Sequence, residues 1–189
     1  MAVKMWLGPM CSGKTTHLAA DLNRLSSLGY PVLYLNSILD NREEGSDIST
    51  NSPIKIRLNC HSRKVEKLLD IDVSEFFAIG IDEGHFLPDL PEAVRKWRDM
   101  GKEIYIAALD GDYRQKPFGR VLEVVPLCDA GKLFKLEAIC VYCKDEKKHI
   151  NASYTRKKVI PSMQKSGDGV IDIGGIDKYT PVCWRHLKD

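Results

Sequence analysis

Eight residues near the start limit what this chain can fold into more than anything else in it. Gly8, Pro9, Met10, Cys11, Ser12, Gly13, Lys14 and Thr15 fit the pattern G-x-x-x-x-G-K-[ST] in full. Such a run works in one setting, a tight turn between a strand and a helix. There the glycines let backbone N–H groups wrap a polyphosphate, and the following helix aims its positive N-terminus at it. Lys14 reaches the β and γ oxygens, and Thr15 offers a hydroxyl to Mg²⁺. The setting is present: Val3 to Leu7 reads as a short buried strand ending at Gly8-Pro9, and Leu18, Leu22 and Leu25 recur at helical spacing before Gly29. A glycine turn with an incidental lysine after it would have no reason to sit between those two elements.

The pattern continues along the chain. Pro31 to Leu35 is a second strand, and the polar stretch from Leu39 to Ser52 is a loop. Arg63 to Asp70 reads as a short helix with Val65, Leu68 and Leu69 on one face. Phe76 to Ile81 is a continuous apolar run, as expected of a central parallel strand buried on both sides. Leu90, Val94 and Trp97 mark another helix, with Pro91 in its first turn and Gly101 past its end, and Glu103 to Leu109 is the next strand. Strands alternating with helices predict an α/β fold, a parallel sheet with helices on both faces. From Phe134 the pattern changes to short β-like pieces, a lysine-rich segment and glycine-rich turns. A boundary near residue 138 therefore predicts a nucleotide-binding α/β domain over 1–138 and a small second domain over 139–189.

Composition narrows the class of protein. The chain has 189 residues, 43% of them hydrophobic and 29% charged, which suits one globular domain with a small appendage. Lys and Arg number 28 against 26 Asp and Glu, a net charge of +2, too even for a broad nucleic-acid or anionic-membrane surface. No stretch approaches the roughly 18 apolar residues of a bilayer span, and the opening Met-Ala-Val-Lys-Met-Trp lacks the makings of a secretory signal. The expectation is a cytoplasmic protein with neither a nucleic-acid nor a membrane partner.

Two further groups carry chemistry. Asp82 and Glu83 close the apolar strand, where phosphate-loop proteins keep an acidic residue for the magnesium shell. Strand alternation turns the two carboxylates to different sides, one toward the metal and the other toward a second substrate, and a solvated acidic turn is the plainer alternative. Among six cysteines, Cys140 and Cys143 form a Cys-x-x-Cys pair, matched by Cys183-Trp-Arg-His186. Two pairs of soft ligands, each with two residues between, can give a Cys₃His site of the structural zinc kind. The 39 residues between the pairs exceed the usual zinc-ribbon spacing and make a long loop pinned at both ends. A redox pair is the rival, but no helix pattern follows Cys140 that would lower a thiol pKa. Unrelated cysteines with a surface histidine are the plainest alternative. His17, His61 and His149 show no ligand spacing, and Lys144 to Lys148 reads as a solvated charged loop.

With these residues in hand, the chain resembles the type II thymidine kinases, the family of the cellular cytosolic enzyme and its poxvirus relatives. The resemblance spans nearly all of it. Beyond the phosphate loop, it is carried by Ile79-Gly-Ile-Asp-Glu-Gly-His-Phe86, by Ala107-Ala-Leu-Asp-Gly-Asp-Tyr-Arg-Gln-Lys-Pro-Phe-Gly119, and by Ile173-Gly-Gly-Ile-Asp-Lys-Tyr179 ahead of the second ligand pair. The resemblance implies a RecA-like phosphate-loop domain with a zinc-bearing lasso domain, and transfer of the γ-phosphate of ATP to the 5′-hydroxyl of thymidine. Glu83 matches the catalytic base. Asp82 would hold Mg²⁺, with Gly84 and His85 beside the nucleotide, and Asp40, Asn41 and Arg42 match a second acidic-and-arginine element near the phosphates. Met10, Phe86, Leu109, Tyr113 and Phe118 would line the base pocket. The lasso, Val170, Ile171, Asp172, Ile173 and Gly174 with Thr155, would contact the base through backbone groups, and Tyr179 would help to hold the nucleoside. The resemblance also implies a homotetramer and feedback inhibition by dTTP. His85 stands where Gln is common, Asp112 where Thr is frequent, adding a carboxylate near the pocket, and Tyr113 where Phe is usual. The segment between Cys143 and Thr155 is a few residues longer than in many members. These departures bear on substrate breadth. The rivals are a RecA-like regulatory or DNA-handling protein and a kinase for another nucleoside.

Overall fold

A computed structural model describes residues 2–40, 47–48, 56–158, 174–175 and 177–188. Strands β1 (Val3–Leu7), β2 (Val32–Ser37), β5 (His61–Val65), β6 (Ala78–Ile81), β7 (Glu103–Ala108) and β8 (Leu133–Lys135) form one six-stranded sheet in the order β5-β2-β6-β7-β1-β8. Every pairing in it is parallel. β3 (Asp47–Ile48) and β4 (Ile56–Arg57) make a small antiparallel pair outside it.

The alternation of strand side chains builds two cores, one on each face. Val3, Met5 and Leu7 of β1, Leu33 and Leu35 of β2, Ile79 and Ile81 of β6, and Ile104, Ile106 and Ala108 of β7 point one way. Helix α2 (Leu90–Asp99) closes that face with Leu90, Ala93, Val94 and Trp97, spaced as one stripe of a helix. Trp6, Val32, Tyr34, Ala78, Tyr105 and Ala107 point the other way, under Leu18, Ala19 and Leu22 of helix α1 (Lys14–Ser27). Burial on both faces is why the central strands read as unbroken apolar runs. Trp97 is fully buried, so its truncation to Ala would cost about 3–5 kcal/mol.

One predicted element differs. Arg63 to Asp70 is not a helix: its first part belongs to edge strand β5, paired with β2 from Leu33↔His61 to Ser37↔Val65. Only Val65 of that strand is buried, and Leu69 is exposed. The apparent helical stripe arises because Leu68 reaches the core from a turn whose N–H groups, Leu68 and Leu69, donate to the Asp89 carboxylate at 3.1 and 2.8 Å. The Leu39 to Ser52 loop falls largely outside the described residues.

The chain from 138 onward adds a smaller assembly. β9 (Ala138–Ile139) pairs with β10 (Asn151–Ala152), and β11 (Tyr154–Lys157) with β12 (Tyr179–Val182). Two short helices, α3 (Val141–Asp145) and α4 (Trp184–Leu187), follow β9 and β12. Its core is small: Ala138, Cys140, Cys143, Ala152 and Val182. Among the described residues no helix is long and apolar enough to cross a membrane.

Candidate active site and metal centre

In a parallel sheet the carboxyl ends of the strands lie along one edge, and the loops leaving them meet there. The loop after β1 carries Gly8 to Thr15, the loop after β2 carries Asp40, and the ends of β6 and β7 carry Asp82, Glu83 and Leu109. Gly8 adopts φ +142°, and a Cβ at this position would collide with the Leu136 carbonyl. The loop closes on itself: Ser12 Oγ and Lys14 Nζ both donate to the Pro9 carbonyl, at 2.9 and 2.7 Å. Cys11 also has positive φ, 61°. The Met10 N–H donates to Thr155 Oγ1 at 3.1 Å, a buried bond that joins the loop to β11.

Asp82 is the hub. Its Oδ1 accepts the Thr15 hydroxyl at 3.2 Å and the Glu83 N–H at 2.9 Å, and its Oδ2 accepts the Tyr34 hydroxyl at 2.9 Å. Burial, with the neighbouring Glu83 charge, pushes the Asp82 carboxyl up to about 7 despite these donors. Burial likewise lowers the Lys14 ammonium from its ordinary value, against the pull of Glu83 and Asp82. Two carboxylates and one ammonium thus share a nearly dry space beside the phosphate loop. Asp40 is buried too, its Oδ2 accepting from Asn36 Nδ2 at 3.1 Å and its carbonyl from Lys64 Nζ at 2.6 Å. Asn41 and Arg42 lie outside the described residues.

Glu83 leaves β6 in the left-handed region, φ 49°, an unusual backbone for a side chain of this size. That turn separates it from Asp82 and carries it toward His85, whose Nε2 is 3.3 Å from Glu83 Oε2. Gly84, His85 and Phe86 form a 3-10 turn directly after it. His85, Phe86 and Phe118 make an aromatic cluster, with the Phe86 and Phe118 rings edge-on at 5.6 Å. Tyr113 and Tyr179 pair at 6.1 Å, bringing the loop after β7 to β12. Leu109 is half-buried beside the cluster, and Met10 is buried. Gly174 stands ahead of β12, while Val170, Ile171, Asp172 and Ile173 lie outside the described residues.

Asp112 does not add a free carboxylate to this space. Its Oδ1 accepts the N–H groups of Arg114 and Lys116 at 2.8 and 2.9 Å, so it shapes its own turn. That turn borders a cleft of about 230 Å³ between Pro9, Asp110, Lys116, Lys135 and Thr155. Sequence reasoning missed Tyr34, Asn36 and Lys64. A tyrosine in an apolar strand looks like core, and only the pairing of β2 with β6 places its hydroxyl under Asp82.

The second group of residues also comes together. The ligand atoms of Cys140, Cys143, Cys183 and His186 all lie within 4.8 Å of one another. His186 Nδ1 is 3.4 Å from the sulfurs of Cys140 and Cys143 and 3.6 Å from that of Cys183, and Cys143 and Cys183 sulfurs are 3.8 Å apart. Tetrahedral zinc with Zn–S bonds of about 2.3 Å spaces its donors by roughly 3.5–3.8 Å, so these four residues fit it. Contrary to expectation, a helical turn does follow Cys140. Burial raises the Cys140 thiol, but N–H groups of Cys183 and Cys143 outweigh it and bring the thiol down to about 6. Cys143 is pushed up to about 12 by burial and its sulfur neighbours. Arg156 braces the centre by donating to the His186 carbonyl at 2.7 Å.

A phosphate loop on a parallel sheet, an acidic strand end beneath it and an aromatic cluster beside it fit a phosphoryl-transfer protein of the nucleoside-kinase class. Comparison with known proteins gives the family. The family model described as thymidine kinase matches residues 1–187. The thymidine kinase of Variola virus is 32% identical over 189 residues, covering 99% of this chain and 97% of that one. The cytosolic thymidine kinases of Gallus gallus and Homo sapiens are each 34% identical over 183 residues, 96% of this chain and 74% and 70% of theirs. The chain belongs to the thymidine kinase family.

Proposed function

We propose that this chain is an ATP-dependent thymidine kinase, moving the γ-phosphate of ATP to the 5′-hydroxyl of thymidine. One observation carries the reading: Thr15 of the phosphate loop and the Glu83 backbone meet on a single buried carboxylate, Asp82, while the Glu83 side chain reaches His85, whose ring packs on Phe86 and Phe118. The nucleotide side and the acceptor side of a transfer reaction thus share one strand end.

Phosphoryl transfer asks the protein for charge neutralisation and alignment more than for covalent help. Loop N–H groups and the buried Lys14 ammonium neutralise phosphate oxygens. Thr15 and Asp82, two oxygen donors 3.2 Å apart, suit a hard cation, and magnesium when bound supplies further neutralisation of the phosphates. Asp40, Asn41 and Arg42 extend the phosphate side. Glu83 accepts the proton of the 5′-hydroxyl as the oxygen attacks. In this reading Met10, Phe86, Leu109, Tyr113, Phe118, Thr155 and Tyr179 hold the base, Val170 to Gly174 contribute backbone contacts to it, and the exclusion of water from the occupied site suppresses ATP hydrolysis. Residues 1–138 form the nucleotide-binding domain, and 139–189 form the zinc-bearing one, its structural Zn²⁺ held by Cys140, Cys143, Cys183 and His186. Homotetramer assembly, dTTP inhibition and a cytoplasmic workplace belong to the same reading.

The test is ATP-dependent conversion of thymidine to its 5′-monophosphate, with deoxycytidine and deoxyguanosine in parallel, for the parent and Glu83→Gln. Preferential thymidine turnover that falls by about 10²–10⁴-fold in the variant, with ATP binding kept, is the expected result. Turnover on none of the nucleosides would refute it.

A further inference from the structure

We propose that His85 is a positioning residue, holding the Glu83 carboxylate in line for the acceptor hydroxyl and tying that alignment to the aromatic wall of the base pocket. The inference rests on the reading of Glu83 as the base. It starts from a ring only 1% exposed whose two nitrogens face different elements. Nδ1 accepts the Leu109 N–H at 3.2 Å, at the end of β7. A nitrogen that accepts a backbone N–H carries no proton, so the neutral ring keeps its proton on Nε2. Nε2 is the atom 3.3 Å from Glu83 Oε2. The end of β7 therefore sets the tautomer and puts the proton on the ring atom nearest the carboxylate, within ion-pair reach but not aligned as a hydrogen bond, so a small rotation of the flexible Glu83 side chain completes the contact.

Two aromatic rings hold the imidazole, and a close backbone approach holds the main chain that carries it. Phe86 and Phe118 flank it with centroids 4.2 and 4.5 Å away. Gly119, at φ +57°, packs so closely on the His85 carbonyl that a Cβ there would collide with it. Glu83 needs such a hold. It springs from a left-handed backbone position and ends in a long, flexible side chain. Asp82 and Lys14, charged groups sharing its space, also bond to the phosphate loop. Because Phe86 and Phe118 also belong to the proposed base pocket, a seated nucleobase presses on the ring that aims the carboxylate. This makes alignment of Glu83 dependent on occupancy of the pocket.

Three variants separate positioning from packing. Glutamine places an amide where Nε2 stands, asparagine reaches only as far as Nδ1, and leucine keeps volume alone. His85→Gln should keep kcat within about threefold of the parent, while His85→Asn and His85→Leu lose about 30-fold in kcat with thymidine KM changed less than about threefold. Melting curves and ATP binding establish that each variant is folded, and should Asn leave the chain unfolded, the Gln and Leu pair makes the same separation. A kcat retained in Asn or Leu, a loss shared equally by Gln, or a loss confined to KM would overturn the proposal. Glu83→Gln is measured alongside, alone and combined with His85→Asn. If the proposal holds, the double variant falls no lower than Glu83→Gln. Normal turnover in Glu83→Gln would sink the base reading itself. Loss there with normal turnover in His85→Asn would sink this inference alone.

Discussion

The phosphate-loop region and the Cys₃His region solve the same problem, holding polar groups in place, by opposite means. The first hangs its charges on the edge of a sheet with a large core on each face, so Lys14, Asp40 and Asp82 are buried because the strands beneath them are. The second has a handful of buried residues, and two of those are the cysteines themselves. Too small a core leaves conformational entropy uncompensated unless a metal or a disulfide ties the chain together. Side-chain chemistry in the first region is therefore separable from the fold. In the second, two of the four residues that could hold a metal are themselves part of the core.

The largest effect should come from breaking the second region. Cys140→Ser, or exhaustive chelation, removes one donor or the ion from a site whose binding free energy is folding free energy, about 10 kcal/mol or more for structural zinc. Thymidine turnover should fall by more than about 10³-fold, while an ATP analogue still binds within about threefold, because the phosphate loop rests on the other core. Equal loss of both would show that the two regions fold as one. Metal analysis of the parent should find about one zinc per chain.

The first region should behave in the reverse sense. Asp82→Asn removes a charge that burial and Glu83 both oppose, and the rotatable hydroxyls of Thr15 and Tyr34 can still pair with the amide. Activity should fall by about 10²–10³-fold. Stability without nucleotide or magnesium should rise, by a few degrees in Tm. A lower Tm would mean that Asp82 holds the fold as well as the chemistry.

This contrast also decides what the sequence could tell. The phosphate loop, the strand ending in Asp82-Glu83 and the spacing Cys140-x-x-Cys143 with Cys183-x-x-His186 are local patterns whose physics is contained in a few neighbours, and the structure brings each group together. β5 misled because its partner, β2, lies far back in the chain, and an edge strand with one buried residue carries little periodicity. His17, His61 and His149 are exposed, and in the sequence His85 stands apart from them only by its place two residues after Glu83. What distinguishes it is the Leu109 N–H and the Glu83 carboxylate, contacts made only once β6 and β7 lie side by side. Tyr34 and Thr155 were likewise invisible as partners of Asp82 and Met10.

The link between the regions offers a finer test. Met10 N–H to Thr155 Oγ1 is a buried bond between the loop and β11. Thr155→Val keeps the volume and strands the donor, which should cost about 1–3 kcal/mol. If the bond serves mainly to seat the lasso side against the loop, thymidine KM should rise about tenfold with ATP binding little changed. A change in ATP affinity instead would show that the bond shapes the loop itself.

The smallest perturbation reads the difference through cysteine reactivity. Burial pushes the Cys60 and Cys128 thiols up to about 11, so roughly one molecule in a thousand is thiolate at pH 8 and both should resist iodoacetamide. Cys11 is exposed in the phosphate loop, where an adduct would stand in the way of the nucleotide. Peptide mapping at pH 8 should find Cys11 modified first, with ATP slowing it. Cys140, Cys143 and Cys183 should stay unmodified until the metal is chelated, because a thiolate shared with zinc is not free to attack. Raising the pH toward 11 should speed labelling of Cys60 and Cys128 without any chelator, since both are partly exposed and protonation adds to the protection that burial gives. Early labelling of the Cys₃His group in untreated protein would break the comparison, for it would mean that this region holds its shape without its ion.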